Sequence, residues 1–160
     1  MAVDYFLKLD GIKGESTADK HKDEIDIMSF SWGLTQAATA GFGGGAGAGK
    51  VQMQDFHFTS KVSRASPQLF LSCASGKHIP TATLTARKAG DRQQDFLVIK
   101  MNDILVSSYQ ADGSAGGDLP TDQFSLNFAK IEYTYTEQKA DGSSGADNTA
   151  GWDLKGNVKL

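Results

Sequence analysis

Ser66-Pro67-Gln68-Leu69-Phe70-Leu71-Ser72-Cys73-Ala74-Ser75-Gly76 is the one stretch that reads clearly as a helix. Ser66 suits an N-cap, and Pro67 suits the first helical position, where its missing N–H is no loss. Gly76 supplies a left-handed stop, and Pro80 prevents resumption. Leu69, Phe70, Cys73 and Ala74 fall on one stripe at helical spacing, the expected buried face. A helix of about ten residues is marginal alone, so it must lie on an apolar surface. Everything else in the chain reads as strand. The expectation is a β-structure with one helix closing a side or an end.

The chain has 160 residues, enough for one domain that buries about 70% of its unfolded surface. A net charge of −3 with no basic run argues against nucleic acid and anionic membrane as main partners. The single cysteine, Cys73, excludes a disulfide framework and reads as a buried, inert thiol. The N-terminus lacks the basic and apolar regions of a secretory signal, and no stretch reaches the length of a membrane span. The protein is therefore expected to be made in the cytoplasm, and export would need a route that reads no cleaved signal.

Outward from the helix, period-two alternation marks the strands. The first spans 3–9. Residues 24–36 read as one long strand with Met28, Phe30, Trp32 and Leu34 on one face and Ser29, Ser31 and Gly33 on the other. A strand of that length either bends to serve two sheets or projects. Residues 50–62 alternate again, with Phe56 and Phe58 opposite His57. Between them lie six glycines from Gly41 to Gly49, so the pair reads as a long hairpin arm with its loop at about 36–50. Further strands are expected over 79–88, over the strongly apolar 96–109 with a bend at Asn102-Asp103, and over 121–138. In the last, the apolar parity switches near Ala129-Lys130, implying a bulge or a strand crossing between sheets. Residues 111–120 and 140–151 read as soft loops, and the chain closes on a short strand containing Trp152 and Val158. Strands apolar on both faces leave edges and patches to cover, which a barrel and subunit association would do.

Catalytic and ligand-binding patterns are sparse. Gly44-Gly45-Ala46-Gly47-Ala48-Gly49-Lys50-Val51 fits the outline of a phosphate-binding loop, but Val51 stands where a hydroxyl is needed and a strand, not a helix, follows. His21 with Glu24 and Asp26 could suggest a metal site, yet the spacing is not that of zinc ligands. No nucleophile elbow is present. Neither an enzyme, a metal nor a cofactor is expected. Ser29 and Ser31, on the polar face of the long strand, offer a smooth uncharged surface on which partners could dock.

Taken in order, several motifs resemble a known family. They are Met1-Ala2-Val3-Asp4 with Phe6 and Lys8, Gly14-Glu15-Ser16, Glu24-Ile25-Asp26 followed by Ser31-Trp32-Gly33, and Gly47-Ala48-Gly49-Lys50-Val51. The series continues with Gln54-Asp55 and Phe58, Ser75-Gly76-Lys77-His78, Arg87-Lys88-Ala89-Gly90 and Leu105-Val106-Ser107-Ser108. It ends with Leu126-Asn127-Phe128-Ala129, Gln138-Lys139-Ala140-Asp141-Gly142 and Gly151-Trp152. Together they resemble Hcp, the haemolysin-coregulated protein of bacterial type VI secretion, across essentially the whole chain.

The resemblance implies a mainly β fold: two packed antiparallel sheets forming a β-barrel, one short α-helix on its side, and the long Gly-rich arm, all in a single domain over 1–160. It implies a homohexameric ring with a wide channel. Stacked rings form the inner tube driven by a contractile sheath, tipped by a spike protein and loaded with effector cargo. The subunit itself is exported through the type VI machinery, without membrane insertion. On this reading Gly41, Phe42, Gly43, Gly44, Gly45, Gly47 and Gly49 form the ring-stacking arm, and Ser29 and Ser31 line the channel. The competing expectation is a monomeric, soluble ligand-binding β-domain using the loops at 111–120 and 140–151.

Overall fold

Alternation at the N-terminus becomes strand β1 (Val3–Leu9) in the computed structural model, which describes residues 2–38, 48–90 and 93–160. Leu7 and Leu9 enter the core. Phe6, on the opposite face, is buried as well, because the loop that follows β1 folds back over it and stacks His21 on its ring. Gly14 makes that fold possible, since a Cβ there would lie 2.5 Å from the Glu24 carbonyl oxygen.

The long strand expected over 24–36 is three short ones: β2 (Ile25–Ile27), β3 (Ser29–Ser31) and β4 (Leu34–Ala38). The chain bends at Met28, and the buried parity changes there. Ile25 and Ile27 are buried before the bend, and Phe30 and Trp32 pack on the core after it. Met28 and Leu34, expected inward, are 53% and 52% exposed. Each piece takes a different partner, which a straight strand could not do: β2 pairs with β1, β3 with β6 (Phe56–Lys61), and β4 with β5 (Ala48–Met53). The segment thus both bends and projects, and β4–β5 stand as a separate two-stranded sheet.

Helix α1 (Ser66–Ser75) packs on β8 (Asp95–Asp112) and ends at Gly76 in the left-handed region, φ 65°, as the sequence implied. Its start and its buried face differ from expectation. Ser66 makes no capping bond. The turn before it is held by Ser63, whose Oγ accepts the Ala65 N–H and whose carbonyl accepts the Ser66 N–H. Ser66 Oγ instead donates to the buried carboxylate of Asp122. That anchor turns the Ser66–Leu69–Ser72 line inward. Phe70 and Leu71 are left 59% and 54% exposed, Ala74 is exposed, and Cys73 is half-buried.

The remaining strands are β7 (His78–Lys88), β9 (Thr121–Asn127), β10 (Lys130–Gln138), β11 (Ser144–Asp153) and β12 (Val158–Lys159). β8 is shared. It pairs with β7 and β10 along its first part and with β9 along its last. The change of partner falls at Asp103, which takes a positive φ of 55°, and the register shift comes between Val106 and Ser108. The parity switch in 121–138 marks the break at Phe128-Ala129 between β9 and β10, which pair with different stretches of β8. Residues 144–153, expected mostly as loop, form the full strand β11 on β10. The fold is mainly β, built of antiparallel sheets with one helix among the described residues. From β8 the pairing path runs one way through β7 and β1 to β2, and the other through β9 and β6 to β3. Only Met28 separates β2 from β3, and its N–H donates to the Thr59 carbonyl at 2.8 Å.

The core contains a connected series of rings: Phe30–Phe56 at 5.7 Å, Phe56–Phe58 at 4.9 Å and Phe58–Phe124 at 5.2 Å. Truncating one member leaves a cavity its neighbours cannot close. Phe58→Ala is expected to cost about 3–5 kcal/mol in chemical denaturation, whereas Phe70→Ala on the helix surface should cost less than about 1 kcal/mol.

Candidate functional site: a polar sheet face

Register fixes what lies opposite the aromatic core. Phe30 pairs with Phe58, Phe58 with Phe124, and Phe124 with Tyr109, all on the inner side of β3, β6, β9 and β8. The alternate residues therefore share the outer side. One outer row is Ser31–His57–Ser125–Ser108, and the next is Ser29–Thr59–Gln123–Gln110. Ser29 and Ser31 are exposed and belong to this face, where alternation placed them. His57 is exposed and points away from Phe56 and Phe58, also as expected.

Part of this face satisfies itself. The register shift beside Ser107 turns both Ser107 and Ser108 outward, and each reaches Ser125 Oγ, at 2.7 and 2.5 Å. Ser107 also donates to Asp55 at 2.7 Å, and Asn127 donates to the other oxygen of Asp55 at 3.0 Å. By contrast Ser29, Ser31, His57, Thr59 and Gln123 make no side-chain hydrogen bond among the described residues. A depression of about 330 Å³ lies between the rows, walled by His57, Thr59, Ser108, Gln110 and Gln123.

The sheet is braced from below by Asp122, which is 1% exposed and accepts hydrogen bonds from Ser66 Oγ and, at 2.6 Å, from Tyr109 OH. It ties the helix to β8 and β9. Burial first, then the hydrogen bond to Asp122 and its charge, push the Tyr109 phenol up to about 12.

His21 does meet Glu24, as its spacing suggested, but Asp26 is not part of the group. Asp95, distant in sequence, takes that place. His21 is 6% exposed, with Nδ1 3.0 Å from Glu24 and Nε2 3.0 Å from Asp95. Both ring nitrogens face carboxylates, which leaves neither for a metal, and the group pins the 11–24 loop to the start of β8. Asp26 sits elsewhere, where partial burial, then the charges of Asp4 and Glu15, hold its carboxyl above its usual range. Among the described residues no three His, Cys, Asp or Glu side chains converge to hold a metal ion.

Of the arm residues, Gly49 lies on β5 within the β4–β5 hairpin. Gly41, Phe42, Gly43, Gly44, Gly45 and Gly47 lie outside the described residues. His57, Thr59, Gln123 and Gln110 were not singled out with Ser29 and Ser31, because their grouping depends on register across four strands. The available signal was polar residues alternating with core residues, His57 between Phe56 and Phe58 in β6 and Gln123 and Ser125 flanking Phe124 in β9.

The family model described as "Type VI secretion system effector, Hcp" matches residues 6–135. The chain belongs to the Hcp family. It is 45% identical over 161 aligned positions to protein hcp1 of Pseudomonas aeruginosa, covering 99% of each chain. The crystal structure of Hcp1 from Salmonella typhimurium superimposes with a TM-score of 0.85 at 39% identity, covering 100% of both chains. A structure described as a type six secretion system protein gives 0.94 at 32% identity, covering 99% of this chain and 100% of that one. Hcp membership places the chain in type VI secretion, and no described helix is long and apolar enough to cross a membrane.

The Tyr109–Asp122 pair makes a pH prediction. The folded-state value lies above the unfolded value of about 10, so its contribution is complete below pH 10 and is lost as pH rises through about 12. In parallel alkaline titrations, Tyr109→Phe should lose less stability than the parent chain across that window. Identical slopes would contradict the assignment.

Proposed function

We propose that this Hcp protein is the ring-forming subunit of the type VI inner tube. Six copies close into a ring, rings stack, and the tube is exported with small effectors held in its channel. The observation that carries the reading is the pair of polar rows on the outer face of β3, β6, β9 and β8, free of carboxylate and ammonium groups and backed by a rigid aromatic core. A channel wall must pass or hold a folded guest without trapping it, and unsatisfied charge would bind too selectively.

Association is supported by apolar surface elsewhere. Met28, Phe70, Leu71, Tyr133 and Tyr135 are each more than 40% exposed. A closed ring covers such surface without leaving a terminal subunit. The whole of 1–160 acts as one unit in this reading, with an architectural role and no chemistry of its own. The contractile sheath and the spike protein are its partners in the assembled machine.

The β4–β5 arm reaches the adjacent ring. Isolated rings should stack weakly and depend on a template in the machine. Deleting residues 41–49 should leave hexamers intact by light scattering and abolish export. Undiminished export would remove the arm from the account.

Ser31 is the sharpest test of the channel wall. Ser31→Trp should lower retention of a co-expressed effector at least several-fold while the ring persists. Unchanged retention would overturn the lining role, and a monomeric parent chain would overturn the ring itself.

A further inference from the structure

The two outer rows divide sharply in hydrogen-bonding state. On the β8 side, Ser107, Ser108 and Ser125 bond to one another, and Asp55 is held by Ser107 and Asn127. On the β3 and β6 side, and at Gln123 of β9, the polar groups have no partner among the described residues. The 330 Å³ depression sits at this boundary, with His57, Thr59 and Gln123 presenting free donors and acceptors and the buried residues Phe58 and Phe124 behind them.

The geometry points to this depression as a recognition subsite, with His57 and Gln123 as its specificity-determining residues. Its ligand is an uncharged polar side chain, Asn, Gln, Ser or Thr, presented by a guest protein. This rests on the channel-wall reading above and gives that wall a chemical preference.

The preference follows from desolvation. A side-chain amide donates and accepts at once, and so do the Gln123 amide and the imidazole of His57. A guest amide can therefore exchange its water for protein partners at little cost. An ammonium or carboxylate entering the same space sheds a much stronger hydration shell. It meets no opposite charge among the residues that line the depression. Asp55 and Asp112 lie on the same face outside that lining, hydrogen-bonded to Ser107, Asn127 and Gln110. His57 carries the only ionisable side chain in the two rows. The Phe58 and Phe124 rings hold the β6 and β9 backbones beneath the depression, which keeps His57 and Gln123 at fixed separation.

The test uses the full-length protein and three synthetic dodecapeptides of matched length, rich in Asn/Gln/Ser, in Asp/Glu, or in Lys/Arg. Binding is followed by NMR through the His57 ring and Gln123 side-chain amide signals, with light scattering reporting assembly. The amide peptide should shift both signals and bind at least about 5-fold more tightly than either charged peptide. His57→Ala and Gln123→Ala should each weaken it about 3- to 10-fold, the loss of one neutral hydrogen bond. His57→Gln should restore most of the affinity. Equal or tighter binding of a charged peptide overturns the inference, as does affinity untouched by both alanine variants. Dissociation of the assembly in His57→Ala also overturns it, since the face would then be a contact between copies. If the alanine variants fail here while Ser31→Trp still lowers effector retention, the channel-wall reading stands and only the subsite falls.

Discussion

Stacked phenylalanines under four registered strands govern this molecule. Phe30, Phe58 and Phe124 are direct cross-strand partners, and Phe56 joins them through ring contacts at 4.9 and 5.7 Å. Such cross-strand pairs contribute beyond simple area burial. Slipping any one strand by a single residue would bring His57 or Ser125 into the core and throw a phenylalanine into water. The aromatic row therefore fixes the polar row. Ser31, His57, Ser125 and Ser108 are aligned because the residues beside them have nowhere else to go.

Buried polar contacts then attach what the sheets cannot hold by themselves. Asp122 joins helix, β8 and β9 through Ser66 and Tyr109. His21 joins the 11–24 loop to Asp95 at the start of β8 and stacks on Phe6 with ring planes 2° apart. Arg87 lies over the same Phe6 ring at 5.0 Å and donates to the Asp19 carbonyl, so one phenylalanine on the outer side of β1 nucleates a second, smaller polar cluster. Buried charge groups of this kind are costly unless fully paired, and they select one arrangement of loop and helix over near alternatives.

Much of the architecture was legible in residue pattern. Period two gave β1, β7 and the apolar β8, and Gly76 gave the helix end. The parity change between Phe128 and Ile131 gave the crossing from β9 to β10. What was hidden depended on distant partners. Met28 looked inward by alternation with Phe30, but the parity of Ile25 and Ile27 conflicts with it, and the bend that resolves the conflict comes from pairing with β1 and β6. Phe70 looked buried until the Ser66–Asp122 bond set the rotation of the helix. β11 carries Ala146, Asp147, Asn148 and Thr149, which have no apolar rhythm, and it is a strand because β10 offers it a partner edge. Ser29 and Ser31 could be placed on an outer face from local alternation, whereas their neighbours His57, Thr59 and Gln123 required the register.

Family membership and this face bear on one question, which side of the sheet system turns toward a channel. Electron cryo-microscopy of the purified protein answers it most directly. The account expects six-fold annuli whose opening is lined by Ser29, Ser31, His57 and Gln123, with Phe70 and Leu71 away from that opening. Dispersed single copies, or annuli with that polar face turned outward, would contradict it.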